Sequence, residues 1–262
     1  MIAYLTMAYV LGPMLAPSIG GALTDAFGWR AIFIMSASAG AVILVLVWFV
    51  VAESHLERGA TTGIGAMLRG YRRLFAIRRF DAYVLHLGFA SAAFYTHSTS
   101  ASFLLINVLG RPAADYGLYF LAFPFGYIAG NFVSGRVAGK IAIETMVLAG
   151  ASISFVGVAG MGAAIALGSL TPLAIFIPAA VMTLGQGFSM PNSQSGAINV
   201  ARELTGTASG LVVFAQFMFG ALFAQLGGML ADGTAGPMVV IVVGTSAIAL
   251  AFAAYPALER RH

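Results

Sequence analysis

The chain has 262 residues, 60% of them hydrophobic and 8% charged, with 13 Lys and Arg against 9 Asp and Glu and no cysteine. Soluble domains carry roughly a quarter charged residues, and so few charged side chains cannot clothe a globule of this size in a polar skin, so water is excluded as the main solvent and a lipid bilayer takes its place. The missing cysteines exclude disulfide frameworks, thiolate metal sites and cysteine nucleophiles, while the basic balance reads as Lys and Arg kept in cytoplasmic loops and not as affinity for nucleic acid.

An apolar run of about 20 residues crosses a hydrocarbon core of about 30 Å. Eight runs of that kind follow one another: 3–23, 31–52, 81–108, 116–137, 142–167, 171–198, 206–230 and 236–257. Met1 opens directly into the first with no basic flank, which is not the pattern of a cleavable signal peptide. Most connections are short and marked by Gly, Pro, Asp and Arg, as in Thr24-Asp25-Ala26-Phe27-Gly28 and Ala231-Asp232-Gly233.

The one long connection, 53–80, carries Arg58, Arg69, Arg72, Arg73, Arg78 and Arg79 with Met67, Leu68, Leu74, Phe75 and Ile77 interleaved. That pattern suits an amphipathic helix at the inner headgroup surface, its arginines on anionic lipid; a solvated linker is the alternative. With this segment inside, Arg136, Lys140, Arg202, Arg260 and Arg261 fall on the same side, giving eleven cations in and only Arg30 and Arg111 out. The positive-inside rule predicts that asymmetry, and adding or removing one span would destroy it.

Ile19-Gly20-Gly21-Ala22-Leu23-Thr24-Asp25 closes the first run, and Leu226-Gly227-Gly228-Met229-Leu230-Ala231-Asp232 closes the seventh. Equivalent positions that recur after six spans point to two parallel six-helix repeats. On that reading the first copy lacks roughly 130 residues and four helices, and the expectation is a truncated chain, or one whose start lies further upstream; a natural eight-helix protein is the competing view.

Leu11-Gly12-Pro13-Met14-Leu15-Ala16-Pro17-Ser18-Ile19-Gly20-Gly21 resembles the antiporter motif of the drug/proton antiporters in the major facilitator superfamily, and Phe27-Gly28-Trp29-Arg30-Ala31-Ile32-Phe33 is similar to the family's turn into its sixth helix. Met190-Pro191-Asn192, Gly196-Ala197 and Gly206-Thr207-Ala208-Ser209-Gly210 resemble the tenth and eleventh helices of its bicyclomycin/chloramphenicol-resistance branch. Gly135-Arg136-Val137-Ala138-Gly139-Lys140 looks like the second-half cytoplasmic loop motif, without the acid that usually stands inside it; Glu144 lies just beyond. The resemblance implies an all-α integral membrane fold fragment of eight transmembrane helices. The last two helices of the N-terminal half occupy 1–52, a cytoplasmic basic linker with an amphipathic helix 53–80, and the complete C-terminal six-helix half 81–262.

Small residues at Gly12, Gly20 and Gly21 allow backbones to approach, and Pro13 and Pro17 remove backbone donors and bend the helix, so this cluster is read as a gate between halves or as ordinary lipid-side packing. Arg136 and Lys140 serve either a conformational clamp or topology alone.

Polar groups inside hydrocarbon are costly and face a cavity or another helix. Tyr95-Thr96-His97-Ser98-Thr99-Ser100 lies just outward of the midplane of the third run. His97 is placed there as a substrate or proton ligand, or as a neutral histidine bonded to a neighbouring helix. Gln216 and Phe217 near the middle of the seventh run and Gln186 in the sixth offer amides among aromatics, suited to a lipophilic, cationic drug or to interhelical hydrogen bonds. Tyr127 and Asn131 are weaker candidates, and His86 could face the cytoplasm.

No carboxylate falls at mid-membrane, no nucleophile motif or phosphate-cradling loop occurs, and no metal or cofactor is expected. The expectation is a monomeric, multi-pass inner-membrane exporter with its C-terminus cytoplasmic, moving small lipophilic drugs or metabolites by proton antiport with alternating access among membrane lipids. The alternatives are a metabolite or sugar facilitator of the same fold, or a truncated membrane protein that does not transport.

Overall fold

The computed structural model describes residues 27–50 and 64–259, together with Gly20 and Leu23. The chain falls into two compact units, 1–66 and 67–262. Run 3–23 lies outside the described residues apart from Gly20 and Leu23, as do Gly12, Pro13, Pro17 and Gly21 of the Gly/Pro cluster and 53–63 of the long connection.

In the first unit, α1 (Arg30–Val50) is a 21-residue helix of almost purely apolar side chains. Its start is an aromatic and cationic knot: Trp29 meets Phe33 edge-on at 5.9 Å, and the Arg30 guanidinium lies 4.4 Å over the Trp29 ring. An amphipathic aromatic beside a cation is what a helix places at headgroup level. Trp48 and Phe49 at its other end are 80% exposed, a surface that lipid tolerates and water does not.

The second unit is a helical bundle. It comprises most of α2 (Ile64–Leu74), then α3 (Arg78–Phe103), α4 (Ala113–Phe120), α5 (Ala122–Val137), α6 (Ile143–Ala166), α7 (Pro172–Val200), α8 (Thr205–Met229) and α9 (Gly236–Glu259). The amphipathic pattern forms α2, which turns Arg69, Arg72 and Arg73 outward and buries Gly70 and Leu74. Gly70 sits where an added Cβ would stand 3.9 Å from Leu204 and Thr207, so the basic helix packs on the turn that precedes α8.

Five helices among the described residues are long and apolar enough to cross a membrane: α1, α6, α7, α9 and α8 with its preceding 3-10 turn. The runs 81–108 and 116–137 are helical too, but differently built. α3 is more polar and ends in a π turn at Leu104–Val108, where Leu109 N–H reaches back to Leu104 C=O at 2.9 Å. The run 116–137 is broken at Leu121. Pro124 has no N–H to give the Phe120 carbonyl, so one helix stops, Leu121 N–H bonds Leu118 C=O in a tighter turn, and the proline is accommodated in the first turn of the next.

α3 packs against α7, α8 and α9, and α7 against α5 and α6. Small residues make these crossings close. An added Cβ at Gly150 of α6 would stand 2.5 Å from the Gly185 carbonyl of α7, while Gly126 and Gly130 of α5 and Gly187 of α7 each leave no room for a Cβ beside the facing backbone. Thr171 caps α7 by accepting from Ala174 N–H at 3.2 Å, with Pro172 at the first helical position.

Two apolar cores result. One, around Leu104, Phe123, Phe176 and Met182, lies toward the end of α3; the other, around Phe80, Tyr83, Leu87 and Val212, lies toward its start.

At that start three helix ends are tied together. Arg79 pairs with Glu144 in the first turn of α6 and, at 3.5 Å, with Glu259 in the last turn of α9. The acid just beyond the 135–140 motif thus serves α3.

Candidate functional site

The polar run of α3 is bonded in part to α4 and α7 and in part to its own helix. Tyr116 of α4 donates its hydroxyl to Ser98 C=O at 2.9 Å, and Thr99 donates to Tyr95 C=O one turn back, also at 2.9 Å. His97 is fully buried, with Nε2 3.3 Å from Ile175 C=O of α7. A carbonyl only accepts, so Nε2 carries the proton. Rings surround it, with the Phe123 centroid at 5.3 Å and Phe176 at 6.4 Å.

Gln186 is likewise buried and donates from Nε2 to Ala90 C=O of α3 at 2.9 Å. In both residues a side-chain nitrogen is bonded to a backbone carbonyl of another helix.

The other candidates keep open surface. Tyr95 on α3 meets Phe217 on α8 with ring centroids 6.4 Å apart, and Gly220 is where the Tyr95 ring passes so close that a Cβ would collide. Phe217 is 54% exposed, and Gln216 beside it is half-buried. An aromatic ladder continues from this pair: Phe89 takes Phe219 edge-on at 4.9 Å and stacks with Phe252 of α9 at 6.1 Å. Gly88 admits Phe219 to the α3 backbone, because a Cβ there would be 3.1 Å from the ring. The result is an aromatic face on the α3–α8 seam with one amide at its edge, able to hold an apolar or cationic molecule by ring contact.

Asn131 lies apart on α5, half-buried, with its backbone against Gly187 of α7. Arg136 and Lys140 are exposed at the end of α5 and in the turn after it. Arg136 rests 4.1 Å over the Phe132 ring, and Gly139, at φ +80°, makes the turn that presents Lys140.

Two cavities accompany this face. One of about 190 Å³ lies among Thr99, Ser100, Phe103, Gly227, Thr234 and Pro237, where α3 and α8 end and α9 begins. Asp232, in the turn before α9, accepts from Thr234 N–H at 2.9 Å and from the Thr234 hydroxyl at 2.7 Å; these bonds hold its carboxyl pKa below the ordinary value. The other cavity, small and polar, is reached by His86, which the sequence offers only as a residue that could face the cytoplasm. No group of His, Asp and Glu among the described residues is placed to hold a metal.

Residues 1–225 match the Major Facilitator Superfamily profile. The chain is similar to the bicyclomycin resistance protein homolog of Haemophilus influenzae, at 26% identity over 242 residues covering 89% of this chain and 59% of that protein. It is 27% identical to multidrug resistance protein D of Escherichia coli over 86% of this chain and 56% of the relative. To multidrug transporter MdfA of Yersinia pestis it is 28% identical, over 56% of this chain and 36% of the relative. The chain therefore spans about half the length of the curated relatives it matches.

Proposed function

The chain belongs to the Major Facilitator Superfamily, and on that premise we propose that its spans form part of a secondary transporter that exports small lipophilic compounds across the inner membrane. The observation that carries this reading is the aromatic seam of Tyr95, Phe217, Phe219 and Phe89 with Gln216 at its edge. Such a surface offers area and ring faces with few directional contacts, which suits compounds of varied shape, and the relatives above carry names of multidrug transport and drug resistance. Tyr95, Gln216, Phe217 and, across the bundle, Asn131 contact the substrate in this reading, while His97 and Gln186 set helix positions behind them.

Residues 81–262 form one six-helix half, 1–52 belong to the other, and 53–80 join them on the cytoplasmic side. The cluster Gly12, Pro13, Pro17, Gly20 and Gly21 works as the gate, Arg136 and Lys140 hold the cytoplasmic end, and the C-terminus is cytoplasmic. The monomer works by alternating access, with protons as the coupling ion.

The test is accumulation of a fluorescent lipophilic cation in an efflux-deficient bacterium that expresses the complete reading frame containing these residues. Lower steady-state dye, restored by collapsing the proton gradient, is expected. Dye levels equal to the empty vector across a chemically broad panel would refute the proposal.

A further inference from the structure

The small polar cavity sits where α3, α6, α7 and α9 meet, and its walls are His86, Ser154, Gln186, Ser189 and Ser246 with Ala249 beside them. Its volume is about 10 Å³, which is the space that one water molecule needs.

The hydrogen bonds of the walls decide what fits. His86 is 1% exposed, and its Nδ1 lies 3.0 Å from Ala249 C=O. The carbonyl fixes the proton on Nδ1, so Nε2 presents a bare lone pair, and that nitrogen has no partner. Ser189 is fully buried and its hydroxyl is unpartnered as well. Gln186 turns its N–H toward Ala90 C=O, which leaves its amide oxygen as an acceptor, and Ser154 spends its proton on Met182 C=O at 2.8 Å.

An orphaned acceptor and an orphaned hydroxyl at one small cavity each destabilise the fold if left dry. An apolar void stays empty, but a void with two to four polar partners holds water.

We propose that this cavity is a binding site for one water molecule, which donates to His86 Nε2, accepts from the Ser189 hydroxyl and joins α3 to α7 at a point where no side chain bridges these two groups. A sodium ion would suit the oxygens less well, since no carboxylate lines the site. The site is independent of what the protein transports. It makes the centre of the bundle a hydrated joint, not a sealed apolar core.

The test uses the chain in lipid with ¹⁵N-labelled histidine. Magnetisation transferred from water protons should reach a ring nitrogen whose signal disappears in His86→Phe, with the Nδ1–H tautomer assigned to the same residue. In thermal unfolding, Ser189→Ala should lower Tm by about 2–4 °C, because the water loses a partner, and Ser246→Ala should act in the same direction. A Ser189→Ala chain as stable as the parent or more so, or a His86 nitrogen with no contact to water, would overturn the proposal, since deleting an orphaned hydroxyl from a dry void costs nothing. A Tm that rises when sodium replaces choline would assign the cavity to a cation and overturn it too.

Discussion

Arg79 occupies the point where the first turns of α3 and α6 and the last turn of α9 converge, and it answers two carboxylates there. Its side chain is 33% exposed and that of Glu144 17%, so water screens the pair in part, and we expect Arg79→Ala to cost about 1 kcal/mol. In a melt of the detergent-solubilised chain that is a fall of about 2–4 °C. Glu144→Gln should cost no more than Arg79→Ala, because the latter strands two acids together; a larger loss for Glu144→Gln would mean that the carboxylate has a heavier duty elsewhere. Tyr95 and Phe217 make the complementary case, where function and not stability is at stake. Their ring contact predicts that Tyr95→Ala and Phe217→Ala each raise KM for a lipophilic cation by about fivefold, or about 1 kcal/mol, with the double variant well short of the product of the two. Dye-efflux kinetics at equal protein abundance would measure this, and strictly multiplicative effects would separate the two rings.

At the scale of the helix, backbone approach sets the tolerances. Gly130 has no space for a Cβ against the Leu184 carbonyl, whereas Gly160 of α6 faces open space. Gly130→Val should therefore cost about 3 kcal/mol or more by forcing α5 off α7, and Gly160→Ala should stay within about 1 kcal/mol of the parent. Thermal melts of the two variants compare these directly, and equal Tm values would contradict the close crossing. The sequence showed that the chain is glycine-rich and helical, but helix propensity does not say which glycines sit at crossings. Hydrophobic length likewise located the runs near 81–108 and 116–137, yet not their interior. The π turn at Leu104–Val108 leaves no mark in apolar composition, and the break at Leu121 was signalled only by Pro124, a residue that helices also accept in a first turn. His97 and Gln186 were visible as polar groups in apolar spans, but their partners are backbone carbonyls on other helices, which carry no side-chain signature. The cavity beside His86 was illegible for the same reason, since four helices must be in register before its walls exist.

For the whole molecule, the cation count and the geometry of the second unit bear on one question, which loops face the cytoplasm. The Arg79, Glu144 and Glu259 network brings the starts of α3 and α6 and the end of α9 to one end of the bundle. Successive helices that cross fully must place 138, in the turn after α5, at that same end, and 169, between α6 and α7, at the other. By the same alternation 205 joins the first end and 231, between α8 and α9, the second. In the proposed orientation the first end faces the cytoplasm, as positive-inside bias predicts for the end that carries Arg69, Arg72, Arg73, Arg136 and Lys140. These 262 residues hold no cysteine, so none of them competes with an introduced thiol. Ala138, Ser169, Thr205 and Ala231 are all exposed and uncharged, so replacing them leaves the cation balance intact. In intact cells a membrane-impermeant maleimide should label Ser169→Cys and Ala231→Cys, and should reach Ala138→Cys and Thr205→Cys only after permeabilisation. Labelling of all four from outside would mean that the spans between them do not cross. The inverse pattern would keep the bundle and reverse its orientation, placing the arginines of α2 outside the cell.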